Sequence, residues 1–333
     1  MPRTLRWEPP STPFTLEHVV PLGVTQRILE HAVRTDRVRR LVRGVYVNTR
    51  AVPETPEGRH LQLALARQLL RPRLIAGDAT AALAWGLELD DPSGAARGPT
   101  SFLRPPGAGA RSERGVDQRV RVAAVPREQR AAHPSGLVVT TVPRVAVDVA
   151  AGLDLPAALI TVDAAARMLL QERVGLARIR AQQQDRHAIA AALAPLRAAV
   201  QGATTHLTRR GVETALAWAD PRRESAAESL SYGHMVIAGL PLPELQVPLH
   251  DEQGVMYPDF RWHFAMLVGE VDGNVKYQSP EDLVAERRRQ ARIERLGYRV
   301  VRWEAAEIRH RPGAVMRRLA GALESGSGLA PAP

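Results

Sequence analysis

Residues Tyr257 to Trp303 read YPDFRWHFAMLVGEVDGNVKYQSPEDLVAERRRQARIERLGYRVVRW, and this stretch decides how the rest of the chain is read. Asp259 follows Tyr257-Pro258. After ten intervening residues comes Glu270, then Asp272, then Lys276. The apolar run Ala265 to Val271 has the composition of a buried strand, yet it ends in acids. Carboxylates at the end of such a strand must be paired, ligated or exposed in a cleft, because burying an unpaired charge is too costly.

Geometry takes this further. A four-residue connection at His263 to Met266 would set Asp259 opposite Glu270 in a hairpin, and the two-residue period of a strand would put Asp272 on the face of Glu270. Three acids then converge. A cluster of oxygen donors alone suits Mg²⁺ or Mn²⁺, which can polarise a phosphate and lower the pKa of a bound water. Lys276 is the single lysine among 45 basic residues, the rest being arginine. A compact ammonium beside the acids could stabilise developing negative charge or orient the water.

The flanks fit one architecture. Ser225 to Ala238 reads as a helix stopped by Gly239-Leu240-Pro241. A strand is expected at Glu244 to Leu249, then a turn at Asp251-Glu252-Gln253-Gly254, then the two strands above. A helix from Glu281 to Leu296, stopped by Gly297, and an alternating strand from Tyr298 to Trp303 complete the order αβββαβ.

This order, with Pro258-Asp259, the E-x-D-G of Glu270 to Gly273 and the L-G-Y-x-V-x-R of Leu296 to Arg302, resembles the restriction-endonuclease-like superfamily with its PD-(D/E)xK motif. More closely, it resembles the very-short-patch-repair-type domains of that superfamily. The resemblance covers about residues 220 to 310. It implies a metal-dependent nuclease in which Asp259 and Glu270 hold the metal and Glu228 is the acid of the first helix. One position departs from the pattern: Asp272 stands where the motif has lysine, so Lys276 would serve from a shifted place.

Blander readings compete at several positions. Ser225-Ala226-Ala227-Glu228 is equally a capping box. Asp259 and Glu270 could be surface ion-pair partners, and Asp272-Gly273 could be a turn. The arginines after Glu281 read in part as a solvated face, with Leu283, Ile293 and Leu296 inward.

The chain has 333 residues, 45% of them hydrophobic, and no cysteine. That length implies more than one domain, and the missing cysteines exclude disulfides and thiolate metal sites. No apolar run approaches about 18 residues and no apolar core follows the N-terminus, so a soluble cytoplasmic protein without membrane contact is expected. Charge is uneven. Residues 1–219 carry 30 arginines against 19 acids, and residues 220–333 carry 15 cations against 16 acids. The basic excess lies away from the acid cluster and favours a polyanionic partner.

The N-terminal segment supplies that partner's reader. A short helix at Thr15 to Val20, a turn at Pro21-Leu22-Gly23 and a second helix from Gln26 capped by Thr25 precede a basic hairpin. This is the order of a winged helix, which reads DNA with the start of its second helix and grips phosphates with its wing. Gln26 and Arg27 are candidates for base contact, and Arg34, Arg37, Arg39, Arg40 and Arg43 for backbone contact. The segment resembles the winged helix of AbiEi-type antitoxins, and the middle region, with IAGDATAALAWGLEL and VVTTVPRVAVDVA, resembles the part that follows it there.

The middle reads as helices at Glu57 to Leu70, Asp78 to Gly86, Val142 to Ala151 and Pro156 to Leu170. Strand-like pieces fall at Ser101 to Leu103, Val116 to Val125 and Leu137 to Thr141, the segment DDPSGAARGP as a loop, and Pro195 as a helix break. The expected fold class is multi-domain α/β: a winged helix over 1–55, a mixed α+β middle domain over 56–205, the restriction-endonuclease-like domain over 206–320 and a flexible tail over 321–333. The expected function is a Mg²⁺- or Mn²⁺-dependent DNA endonuclease, dimeric if its sites are palindromic. The competing expectation is an antitoxin or transcriptional regulator with an inactive nuclease-like domain, whose partner would be a cognate toxin.

Overall fold

The computed structural model describes residues 7–107, 109–203, 206–272 and 280–326. Helices and mixed sheets alternate along the chain, which makes it an α/β protein. Two compact units emerge. The first is the chain up to Val149 with a short segment from Ala199, and the second is Ala150–Ala198 with the chain from His206.

In the first unit, helices Leu16–Val19 and Gln26–Arg34 are joined through Gly23, whose φ of 80° a side chain would resist. Thr25 caps the second helix by accepting from the Ile28 N–H. Strands Val38–Val42 and Val45–Asn48 follow as an antiparallel hairpin with an irregular step between Arg40 and Val42. Trp7, Phe14, Val19, Leu29 and Val38 form the small core beneath. Helix Pro56–Leu70 then leads into a six-stranded mixed sheet. Its strand order is Glu113–Arg114, Gln118–Val122, Thr100–Arg104, Ile75–Ala76, Val138–Thr140, Arg130–Ala132.

Several expectations need correction. Residues Pro92–Arg97, expected in a loop, are helical, because Asp91 caps the turn by accepting from the Gly94 N–H at 2.8 Å. Helix Arg186–Ala203 runs through Pro195 without a break; a proline removes one backbone bond, and the alanine-rich flanks sustain the rest. The tail does not begin at 321. Helix Pro312–Gly326 continues past it, burying Leu323 under the C-terminal sheet. The border expected at 205 falls near 150, since helix Leu155–Val174 packs on helix Ala226–Ile237 in the second unit. Gly233 permits that approach: a Cβ there would meet Pro156 Cα at 2.5 Å.

The second unit is built around a four-stranded sheet in the order Arg299–Glu304, Leu267–Asp272, Phe260–Trp262, Glu244–Leu245. The first pair is parallel and the others antiparallel. Helix Pro280–Arg295 connects the parallel strands. Phe260 stacks on Trp303 with ring centroids 5.7 Å apart, and Trp262 lies beside them. Both indole N–H groups are satisfied, that of Trp262 by Pro241 O and that of Trp303 by Ser231 Oγ. The strand expected over Glu244 to Leu249 is split. Gln246, at φ 51°, turns the chain out of the sheet, and Leu249–Asp251 pairs instead with Gly254–Met256 in a separate hairpin.

Candidate functional site

Register brings the acids together. Phe260 pairs with Gly269, so Asp259 and Glu270 fall opposite each other one step further, as the tight connection at His263–Ala265 with Met266 in the left-handed region requires. Gly269 fixes the depth of Glu270. A Cβ on Gly269 would stand 2.9 Å from one indole and 3.0 Å from the other, so only glycine lets the strand lie against Trp303 and Trp262.

Glu228 arrives from the other side. Ser225 caps helix Ala226–Ile237, accepting from the Glu228 N–H at 3.2 Å, and its hydroxyl donates back to Glu228 Oε1 at 2.9 Å. Glu228 Oε2 accepts from the Glu224 N–H at 2.8 Å. The capping reading of Glu228 therefore holds, and the same residue also faces the cluster. Helix and cap are anchored from below by Asp163, whose carboxylate accepts from Arg223 Nε and Nη2, Ser229 Oγ and the Asp220 N–H.

The residue that joins the acids is Gln246. Its Nε2 lies 3.4 Å from Glu228 Oε2 and 3.3 Å from Asp259 Oδ1, and its own N–H donates to Asp259 O. Asp259 Oδ2 accepts from the Val271 N–H at 2.9 Å. Gln246 is 3% exposed, and a non-glycine residue held at positive φ stores strain of a kind that gathers at functional sites.

Charge at the cluster is uncompensated on one side and compensated on the other. Burial, and then the negative charge of Asp259, push the Glu228 carboxyl up to about 8. Burial, and then Glu270, push Asp259 up to about 6 against the bond from Val271. Glu270 is held between two arginines. Arg289 donates to Oε1 and also to Tyr257 O, while Arg302 donates to Oε2 at 2.7 Å. Arg302 further pairs with Glu286 and stands 3.5 Å from Asp272 Oδ1. Asp272 thus lies on the expected face, but it joins through Arg302 at the rim and does not meet Asp259. Burial raises its pKa as well. Lys276 lies outside the described residues.

A hard divalent cation fits this donor set in kind: every donor is oxygen, and burial together with neighbouring negative charge raises two of the carboxyls, to about 8 and about 6, which a cation would offset. In position the fit is partial. Among the described residues no three acidic or histidine groups stand close enough to share one ion, and both oxygens of Glu270 are occupied by arginine. Glu270 would have to release Arg289 to become a ligand.

The seven N-terminal candidates, Gln26, Arg27, Arg34, Arg37, Arg39, Arg40 and Arg43, are all exposed. Gln26 donates to Glu30 and Arg37 donates to Trp7 O, so Arg37 is in part a structural clamp. Sequence reasoning missed Gln246, Arg289 and the role of Asp163. Arg302 was visible only as the last letter of the L-G-Y-x-V-x-R pattern.

No family model matches the chain. Two uncharacterized proteins of Mycobacterium tuberculosis, MT2308 and Rv2248, are each 32% identical to it over 191 residues. The match covers 57% of this chain and 63% of each relative, so the chain spans less than two thirds of their length. Among the described residues no helix is long and apolar enough to cross a membrane.

Proposed function

We propose that the protein is a DNA-binding, divalent-metal-dependent endonuclease whose chemistry resides at Glu228, Asp259 and Glu270. The observation that carries this reading is the chain of repelling carboxyls, Glu228 to Asp259 to Glu270, gathered by three separate elements around a strained glutamine. Two buried acids raised to about 8 and about 6 beside one another suit a site that takes up a cation and moves a proton. Mg²⁺ or Mn²⁺ held by Asp259 and Glu270 would supply Lewis acidity toward a phosphate oxygen and a water of lowered pKa. Glu228, protonated near neutrality in the bare site, can hold or give up a proton next to that water. Gln246 keeps Glu228 and Asp259 in register, and Arg302 ties Glu270 to Asp272. Arg289 is the group that yields when Glu270 becomes a ligand. The N-terminal helix and hairpin, through Gln26, Arg27, Arg39 and Arg40, supply affinity for duplex DNA.

Supercoiled plasmid incubated with Mg²⁺ or Mn²⁺ is expected to be nicked or linearised, and EDTA, Asp259→Ala or Glu270→Ala to leave it intact while a gel shift survives. Cleavage persisting in both variants would place the chemistry elsewhere.

One observation favours a second reading. Glu270 already has both oxygens on arginines, and Asp272 occupies the lysine position of the resembling motif. A regulator or antitoxin that keeps the fold without turnover would look like this. It predicts tight, salt-sensitive binding to duplex DNA with no cleavage under any divalent metal.

A further inference from the structure

The first unit contains a concavity of about 790 Å³ on its six-stranded sheet, and neither its charge nor its floor is used by the reading above. Four arginines reach it from three segments. Arg71 ends helix Pro56–Leu70, Arg73 precedes strand Ile75–Ala76, Arg104 ends strand Thr100–Arg104, and Arg130 begins strand Arg130–Ala132. Among the described residues one carboxylate answers them: Glu113 accepts from Arg71 at 2.8 Å and from Arg104 at 2.6 Å. Among the described residues neither Arg73 nor Arg130 has a carboxylate partner, and both are exposed. Four cations against one anion leave an excess of positive charge at a concave surface. The bonds from Arg71 and Arg104 accordingly hold Glu113 below the usual carboxylate range.

The floor is apolar and fixed in advance. Leu74 is 2% exposed, and Val138 lies beside it in the lining. The buried Gln68 side chain clamps both, donating to Leu74 O at 2.8 Å and Val138 O at 2.9 Å, and accepting from the Val138 N–H at 2.7 Å. Pro105 and Pro106 line the same concavity. An arginine fork matches phosphate oxygens pairwise, and a rigid apolar floor takes a flat ring. The volume lies in the range of small-ligand clefts.

We propose that this cleft binds a nucleoside phosphate, with its phosphates on Arg73 and Arg130 and on Arg71 and Arg104 as these leave Glu113, and its base over Val138 and Pro106. Binding is independent of the nuclease assignment. Arg73 and Arg130 are both exposed, and Arg130 donates through Nε to Val125 O at 2.7 Å, which leaves both of its Nη groups for a ligand.

Calorimetric titration of the full chain with ATP, ADP and pyrophosphate, with a 20-base-pair duplex as a separate arm, tests this. Saturable binding of ATP or ADP is expected, with pyrophosphate roughly tenfold weaker for want of a base. Arg73→Ala/Arg130→Ala should weaken nucleotide binding by at least about tenfold and leave duplex affinity unchanged. Glu113→Gln should tighten nucleotide binding severalfold by releasing two arginines, an effect that a merely structural role for Glu113 would not produce. Absence of saturable nucleotide binding up to about 1 mM would overturn the proposal. So would equal affinity for pyrophosphate and ATP, or a double variant that loses duplex affinity and keeps nucleotide affinity.

Discussion

Replacing Glu228 by glutamine should make the metal-free protein more stable at alkaline pH. In the folded chain Glu228 is buried beside Asp259 and keeps its proton up to about pH 8, whereas an ordinary glutamate has lost it by about pH 5. Between these values the folded state binds the proton that the unfolded state has released, so stability falls as pH rises through the window and is level above it. The rise from 4.5 to about 8 sets a ceiling of roughly 5 kcal/mol on the loss. Relaxation of the Gln246 amide and entry of water bring the expected value to about 2–3 kcal/mol. Glutamine keeps the volume and cannot ionise. It offers one acceptor oxygen where Glu228 accepts from both Ser225 and Glu224, at a cost of about 1 kcal/mol. Urea unfolding with EDTA present, followed by tryptophan fluorescence, should show Glu228→Gln about 1 kcal/mol less stable than wild type at pH 5 and about 1–2 kcal/mol more stable at pH 8.5. A difference of the same sign and size at both values would refute the reasoning.

Other consequences follow from the same contacts. Asp163→Ala strips a buried Arg223 of its carboxylate and should cost about 3–5 kcal/mol in urea unfolding of the second unit; a loss below about 1 kcal/mol would mean that water replaces the pair. Arg39→Ala/Arg40→Ala should weaken duplex binding at moderate salt and flatten the salt dependence by about two phosphate contacts, read from gel shifts across a salt series. Unchanged affinity would remove the hairpin from the DNA interface. Gln246→Ala deletes the amide shared by Glu228 and Asp259, and so should move the rising limb of any pH–cleavage profile to higher pH; an unmoved limb would make Gln246 a backbone device alone.

The opposition of Asp259 and Glu270 was legible in the sequence because a four-residue connection leaves an antiparallel pair little freedom of register. Thr25 and Gly23 announced the helix-turn-helix order by the same local logic, a cap and a left-handed turn. What escaped was long-range. Arg289 and Arg302 could not be told from other arginines in a chain where all but one of the cations are arginine, so their hold on Glu270 had no signature. Gln246 reads as an ordinary strand residue until its φ of 51° is seen. The approach of Pro156 to Gly233, which moves helix Leu155–Val174 into the C-terminal unit, joins residues 77 positions apart, and nothing in either local pattern foretells it.

The central claim, that Asp259 and Glu270 take up a divalent cation beside a proton-carrying Glu228, is tested most directly by titrating Mn²⁺ into the full chain by calorimetry, in buffers of differing ionisation enthalpy from pH 6 to 8.5. The account predicts saturable binding with protons released, most of them below pH 8, and loss of that signal in Asp259→Ala and Glu270→Ala. Binding that releases no protons, or that survives both substitutions, would contradict it.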